Sequence, residues 1–190
     1  MTCCIALRTD DGVMVGADRR WTVKHTRIGA NTPTKITRLG VHTFLCAGEV
    51  SPVVSWLRCT KLPDPPKRGL ERWVLTKMFP FLAEGVKNLG GGDDRGNWEA
   101  LYVVDGRAIF YLEPSGSVEP VDDFYAIGSG AKHAYSAYEA LTAHPTIHLT
   151  AHQMARRILL GATIDLYTGA PFDFIQLKPE ILKPGASKKK

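Results

Sequence analysis

The apolar residues of this chain come in short paired runs, and those pairs do not alternate one by one with helical stretches. Residues 3–7 and 13–17 are joined by Arg8, Thr9, Asp10, Asp11 and Gly12, and an Asp-Gly step between short apolar runs is a strong hairpin signal. Residues 35–38 and 42–47 form a second pair turning at Gly40, and residues 98–104 and 107–112 form a third across Asp105 and Gly106. Single runs at 124–127 and 173–177 read as further strands. Two helical pairs lie between them. Ser51 and Pro52 suit the cap and first position of a helix to about residue 60. Residues 70–89 place Trp73, Val74, Met78, Phe81, Leu82 and Val86 at helical spacing, with a kink expected at Pro80. Residues 131–143 are Ala-rich and helical, and Thr150 with Gln153 is a capping box opening a helix to about residue 164. The polar stretch 19–34, the Pro-rich stretch 62–69 and the Gly-rich stretch 90–96 read as connections. Strands that segregate from helix pairs predict an α+β layered fold and argue against a doubly wound parallel sheet.

Composition narrows the function. At 190 residues, 44% hydrophobic and 23% charged, the chain suits one domain over residues 1–183 with a Lys-rich tail at 184–190, and neither disorder nor a fibrous repeat fits. The absence of a long apolar run, and of a basic segment followed by one at the start, excludes a membrane protein and a secretory leader. Lys188, Lys189 and Lys190 lie in the tail, and without them the net charge falls from +5 to +2. With no recognisable module beside that charge, nucleic acid is excluded as a partner. Cys3, Cys4, Cys46 and Cys59 contain no CxxC pair, and adjacent Cys3 and Cys4 point to opposite faces of a strand. A reducing cytoplasm follows.

Several chemistries fall away on spacing. The glycines at 128–130 and 90–92 extend neither to GxGxxG nor to a P-loop. His144, His148 and His152 stand four apart, but Pro145 and the cap at Thr150 interrupt any common helix, so no metal site is expected. Cys59 falls in a helix and the other cysteines in buried strands, where thiols act as small hydrophobes.

Thr2 is different. Its side chain is small enough for aminopeptidase to remove Met1, which leaves a hydroxyl and a free α-amine on one residue. Such an amine, with a reference pKa of about 7.7 to 8.0, can take the hydroxyl proton directly or through water.

Around it, the run Thr2 to Arg8, then Gly12 to Asp18, Arg20 and Thr22, resembles the opening of proteasome β-subunits and of the bacterial protease HslV, both N-terminal nucleophile hydrolases. Further along, Lys35 resembles the family's active-site lysine, one position later than a gapless alignment. Ala47-Gly48 resembles its oxyanion glycine. Gly128-Ser129-Gly130 resembles the segment carrying a supporting serine, and Asp165-Leu166-Tyr167-Thr168-Gly169 an Asp-x-Tyr-Ser-Gly motif with Thr for Ser. The resemblance implies a four-layer αββα sandwich and a threonine-type endopeptidase that needs no cofactor or metal. Thr2, Asp18, Lys35, Gly48, Ser129, Asp165 and Thr168 would be catalytic, and Arg20, Trp21, Thr22, Cys46 and Gly48 substrate-binding. Trp21 and Cys46 depart from the usual residues and suggest a modest apolar pocket that favours cleavage after hydrophobic residues. It further implies a start without a propeptide, as in HslV, homo-oligomeric stacked rings, unfolded polypeptide substrates and an ATP-dependent unfoldase as partner. The apolar faces of the Trp73 and Tyr135 helices are the expected ring contacts. Singly, each matched residue has a plainer reading: Asp18, Asp165 and Thr168 as turn formers, Lys35 as a solvated strand lysine, Gly48 as a turn, Ser129 as the cap of the helix from Ala131. Two other functions remain open: a non-catalytic ring scaffold, and an amidase acting on small amides.

Overall fold

In the computed structural model, which describes residues 2–23, 26–28, 34–48, 51–88, 98–144 and 148–179, two antiparallel sheets lie face to face between two layers of helices. In chain order the elements are β1 (Cys4–Thr9), β2 (Gly12–Asp18), β3 (Trp21–Val23), β4 (Thr26–Ile28), β5 (Ile36–Leu39), β6 (His42–Gly48), α1 (Ser51–Cys59), α2 (Leu70–Trp73), a π-helical segment (Val74–Met78), α3 (Phe79–Asn88), β7 (Trp98–Val104), β8 (Ala108–Leu112), β9 (Val118–Val121), β10 (Phe124–Ile127), α4 (Ala131–Thr142), α5 (Ala151–Ala162) and β11 (Phe172–Leu177). One sheet has the order β10-β1-β2-β11 and the other β5-β6-β7-β8-β9, while β3 and β4 form a separate small hairpin.

The two-residue period of the strands sorts the apolar side chains into three cores. Cys4, Ala6, Val13, Val15, Leu45, Ala47, Leu101 and Val103 meet between the sheets. Cys3, Ile5 and Leu7 face the other way, onto Ala155, Ile158 and Leu159 of α5 and Ala134 of α4. Phe44, Cys46, Ala100 and Tyr102 face Val53, Leu57, Met78 and Leu82 of the opposite helical layer. Because both faces of both sheets are covered, the stretches Cys4–Leu7 of β1, Phe44–Ala47 of β6 and Ala100–Val104 of β7 read as continuous apolar runs, without the alternation of a half-wet antiparallel strand.

The expected hairpins form. At the β7–β8 turn both Asp105 and Gly106 have positive φ, 53° and 60°, the backbone that a two-residue Asp-Gly turn demands. Thr150 accepts from the Gln153 N–H while Gln153 reaches back to the Thr150 N–H, completing the capping box. Three expectations need correction. The kink foreseen at Pro80 is taken up just before it: the Phe79 N–H donates to the Val74 carbonyl in a π register, which accommodates a proline that has no N–H and would crowd the carbonyl four residues back. The polar stretch 19–34 contains β3 and β4, and β9 is a strand not anticipated in the sequence. Trp73 packs on the core while partly exposed, and Tyr135 packs against Phe124 and Tyr125. The large apolar side chains left exposed among the described residues are Leu75, Leu160, Ile164 and Leu166. None of the described helices is long and apolar enough to cross a membrane. The stretch 90–96, the tail 184–190 and Lys24 lie outside the described residues.

Candidate active site

Thr2 sits just before β1 and is buried. Its carbonyl accepts from the Gly130 N–H at 3.3 Å. Gly128, with φ of 89°, lies so close that a Cβ there would collide with the Thr2 carbonyl oxygen. The β10–α4 turn can therefore clasp the chain start only with glycine at this position.

On one side of Thr2 is a buried ion pair. Asp18 ends β2 and is fully buried, and Lys35 precedes β5 with 3% exposure. Lys35 Nζ donates to Asp18 Oδ1 at 2.9 Å and to the Arg20 carbonyl at 2.6 Å. The same Oδ1 accepts from the Cys3 N–H at 2.8 Å, and Oδ2 accepts from the Arg20 N–H at 3.0 Å. A desolvated carboxylate is costly unless paired and hydrogen-bonded, and these contacts meet that cost. They also place the ammonium one shared oxygen from the backbone of Cys3, the residue after Thr2.

On the other side, Ser129 Oγ and Thr168 Oγ1 both donate to Asp165 Oδ2, at 2.7 and 2.8 Å. Burial alone would push the Asp165 carboxyl up. Bonds from Ser129, Thr168 and the Tyr167 backbone outweigh it and hold the carboxyl below its ordinary value. Ser129 is thus no helix cap; α4 is entered through Gly130, with no side-chain cap bond. Gly130 in turn leaves no room for a side chain, since a Cβ would lie 2.6 Å from Thr168 Oγ1 and 2.9 Å from Cys3 Cβ.

Gly48, with φ of 83°, is the exposed last residue of β6, opposite Trp98 of β7. Cys46 is packed on the helical side of its sheet, in the core that contains Val53 of α1. Trp21 and Thr22 lie in β3, paired with Ile28 and Arg27; their side chains are outside the described residues. Arg20 shares the charged corner through its main chain only. Its side chain turns to the Asp165–Thr168 segment, where Nη1 donates to the Leu166 carbonyl at 2.8 Å.

One participant has no motif in the sequence. Glu99, beside Trp98 in β7 and opposite Ala47 of β6, accepts from the Gly128 N–H at 3.0 Å. It ties the five-stranded sheet to the turn that holds Thr2. The only advance signal was a lone acid in an otherwise apolar strand. The cysteines stand apart from the chemistry: burial, reinforced by Asp18, pushes the Cys3 thiol up to about 12, burial does the same to Cys46, and Cys4 lies well above its ordinary value. His152 packs its ring edge-on against Phe174.

Two stacked antiparallel sheets between helix layers define the α+β sandwich of the N-terminal nucleophile hydrolases of proteasome type. Comparison with known proteins narrows this. Residues 97–175 match the family described as Proteasome subunit. Over 70 residues the chain is 39% identical to the ATP-dependent protease subunit HslV of Bacillus cytotoxicus and 40% identical to HslV of Bacillus cereus strain B4264; each match covers 36% of this chain and 39% of the relative. The chain thus spans about two-fifths of the length of the curated relatives it matches. Among solved structures, Thiobacillus denitrificans BPH in complex with epoxomicin superposes with a TM-score of 0.76 at 22% identity, covering 94% of this chain and 100% of that one. Eukaryotic HslV from Trypanosoma brucei gives 0.66 at 19%, covering 92% and 98%. The resemblance to proteasome subunits and HslV read from the sequence is borne out, and the fold is theirs.

Proposed function

We propose that this chain is a threonine-type endopeptidase subunit in which Thr2, exposed as the N-terminal residue by removal of Met1, is the nucleophile. The observation that carries the reading is the buried Lys35–Asp18 pair, whose shared oxygen also grips the Cys3 N–H beside Thr2. A fixed ammonium there lowers the proton affinity of the hydroxyl and the amine. Thr2 Oγ attacks the peptide carbonyl as its proton passes to the α-amine, directly or through water. The Gly48 N–H receives the oxyanion, since glycine at that position puts no side chain beside it. The protonated amine then gives its proton to the leaving nitrogen as the C–N bond breaks. Water hydrolyses the resulting ester and regenerates the hydroxyl. Asp165, Ser129 and Thr168 form the hydrogen-bonded support for the amine and its water.

Assembly into stacked homo-oligomeric rings in the cytoplasm is part of the proposal, with unfolded polypeptides as substrates and an ATP-dependent unfoldase as partner. Exposed Leu75, Leu160, Ile164 and Leu166 are the ring contacts that the apolar surface supports. A modest apolar pocket for the residue before the cleaved bond would lie at the β3 hairpin, while Cys46 is buried in the core on the helical side of its sheet. The test is Thr2→Ala assayed on a fluorogenic peptide and on unfolded casein. Hydrolysis should fall to background, and undiminished hydrolysis overturns the assignment. Intact mass checks the chain start: retained Met1 would leave Thr2 without a free amine and favour the ring scaffold. Native mass separates rings from a monomeric amidase.

A further inference from the structure

Arg20 takes part in both halves of the site, and by different atoms. Its main chain belongs to the charged corner: the N–H donates to Asp18 Oδ2 and the carbonyl accepts from Lys35 Nζ. Its side chain leaves that corner and reaches the segment 146 positions away in sequence, where Nη1 donates to the Leu166 carbonyl. The guanidinium fills the space that a side chain at 169 would need, because a Cβ built on Gly169 would run into Nη2 and Cζ. Its Nε is buried and has no hydrogen-bond partner among the described residues. A buried donor left unsatisfied is unfavourable, so the side chain is not placed to maximise its own hydrogen bonds. Shape holds it: a flat group lies over a glycine, with one bond fixing its end. The turn it clasps carries Thr168, which donates to Asp165 as Ser129 does.

We propose that Arg20 is a positioning residue that fixes the Asp165–Ser129–Thr168 group relative to the Lys35–Asp18 pair across Thr2, and that its guanidinium does not bind substrate. This rests on the reading of Thr2 as the nucleophile. Lysine cannot replace it, since a single ammonium on a flexible stem has neither the planar face for Gly169 nor the fork that reaches Leu166.

The test compares full-length wild type with Arg20→Ala, Arg20→Lys and Gly169→Ala. The last keeps the charge and only displaces the guanidinium. Two quantities are measured: fluorogenic-peptide kinetics, and hydrogen exchange of residues 165–169 against that of β7. In all three variants kcat should fall about 10- to 100-fold, the scale of an ångström-sized misplacement, with KM unchanged within about twofold. Millimolar methylguanidinium should restore part of the Arg20→Ala loss and none of the Arg20→Lys loss. Amides of 165–169 should exchange faster in each variant while those of β7 do not. A raised KM with kcat retained would make the guanidinium a substrate contact and overturn the proposal. Wild-type kcat in Arg20→Lys and Gly169→Ala, or unchanged exchange at 165–169, overturns it as well. If wild type shows no hydrolysis, the function reading fails separately, and the exchange arm still decides whether Arg20 holds the turn.

Discussion

The two corners that flank Thr2 are built on opposite principles. The Lys35–Asp18 corner is a charge pair sealed from water, with side chains 2% and 0% exposed, and it rests on the end of β2 and the starts of β1 and β5. The Asp165 corner is half-buried, holds one carboxylate by neutral hydroxyls, and rests on a turn after α5. A sealed pair holds its position, because losing either partner leaves the other stranded in low dielectric. A hydroxyl-held carboxylate near water is cheaper to build and easier to move. The first suits a fixed electrostatic setting for a nucleophile. The second suits groups that must exchange protons and water during turnover.

That contrast sets an order of effects. Lys35→Met should be the most damaging: about 3–5 kcal/mol of stability, toward the lower end because Asp18 keeps its Cys3 and Arg20 N–H bonds, and about 10²- to 10³-fold in kcat. Chemical denaturation and peptide turnover read the two effects. Wild-type stability in that variant would mean the pair is not sealed in solution. Asp165→Asn should cost less, about 1 kcal/mol after screening of a half-exposed group, with a distinctive pH signature. A carboxyl held below its unfolded value of 3.8 stabilises the native state above that pH, and the contribution is lost as pH falls through the lower folded value. The gap between wild type and Asp165→Asn in urea denaturation should therefore be flat near neutrality and close as pH drops below 3.8. A gap that widened on acidification would contradict the assigned bonds. Ser129→Ala removes one of the donors to Asp165 and should have the smallest effect, about 0.5 kcal/mol, with the melting temperature barely moved. A loss as large as that of Lys35→Met would erase the distinction between the corners.

Much of this is legible in the sequence, and the reasons are local. An Asp-Gly step specifies its turn because only such residues tolerate positive φ at low cost, as Asp105 and Gly106 do. Thr150 and Gln153 are three residues apart, so their capping box needs nothing from the rest of the chain. β9 was hidden because Pro120 and Glu119 look unlike strand interior. It survives as the outer strand of its sheet, where a missing N–H costs no ladder bond on the open side. The π segment has no sequence signature of its own, because Pro80 announces a disruption without saying where the helix absorbs it. Glu99 carried no motif, since its partner is a backbone N–H at Gly128 rather than a recognisable side chain.

By itself the sequence determined the elements, their turns and caps, and the residue types around Thr2, because those depend on chemistry within a few positions along the chain. Only the tertiary structure decided that β1 runs between β2 and β10, that Asp18 and Lys35 share a sealed corner, and that Arg20 leans on a turn 146 positions away. Hydrogen bonds and ion pairs act over a few ångströms of space, and separation along the chain says little about that distance until the sheets have stacked.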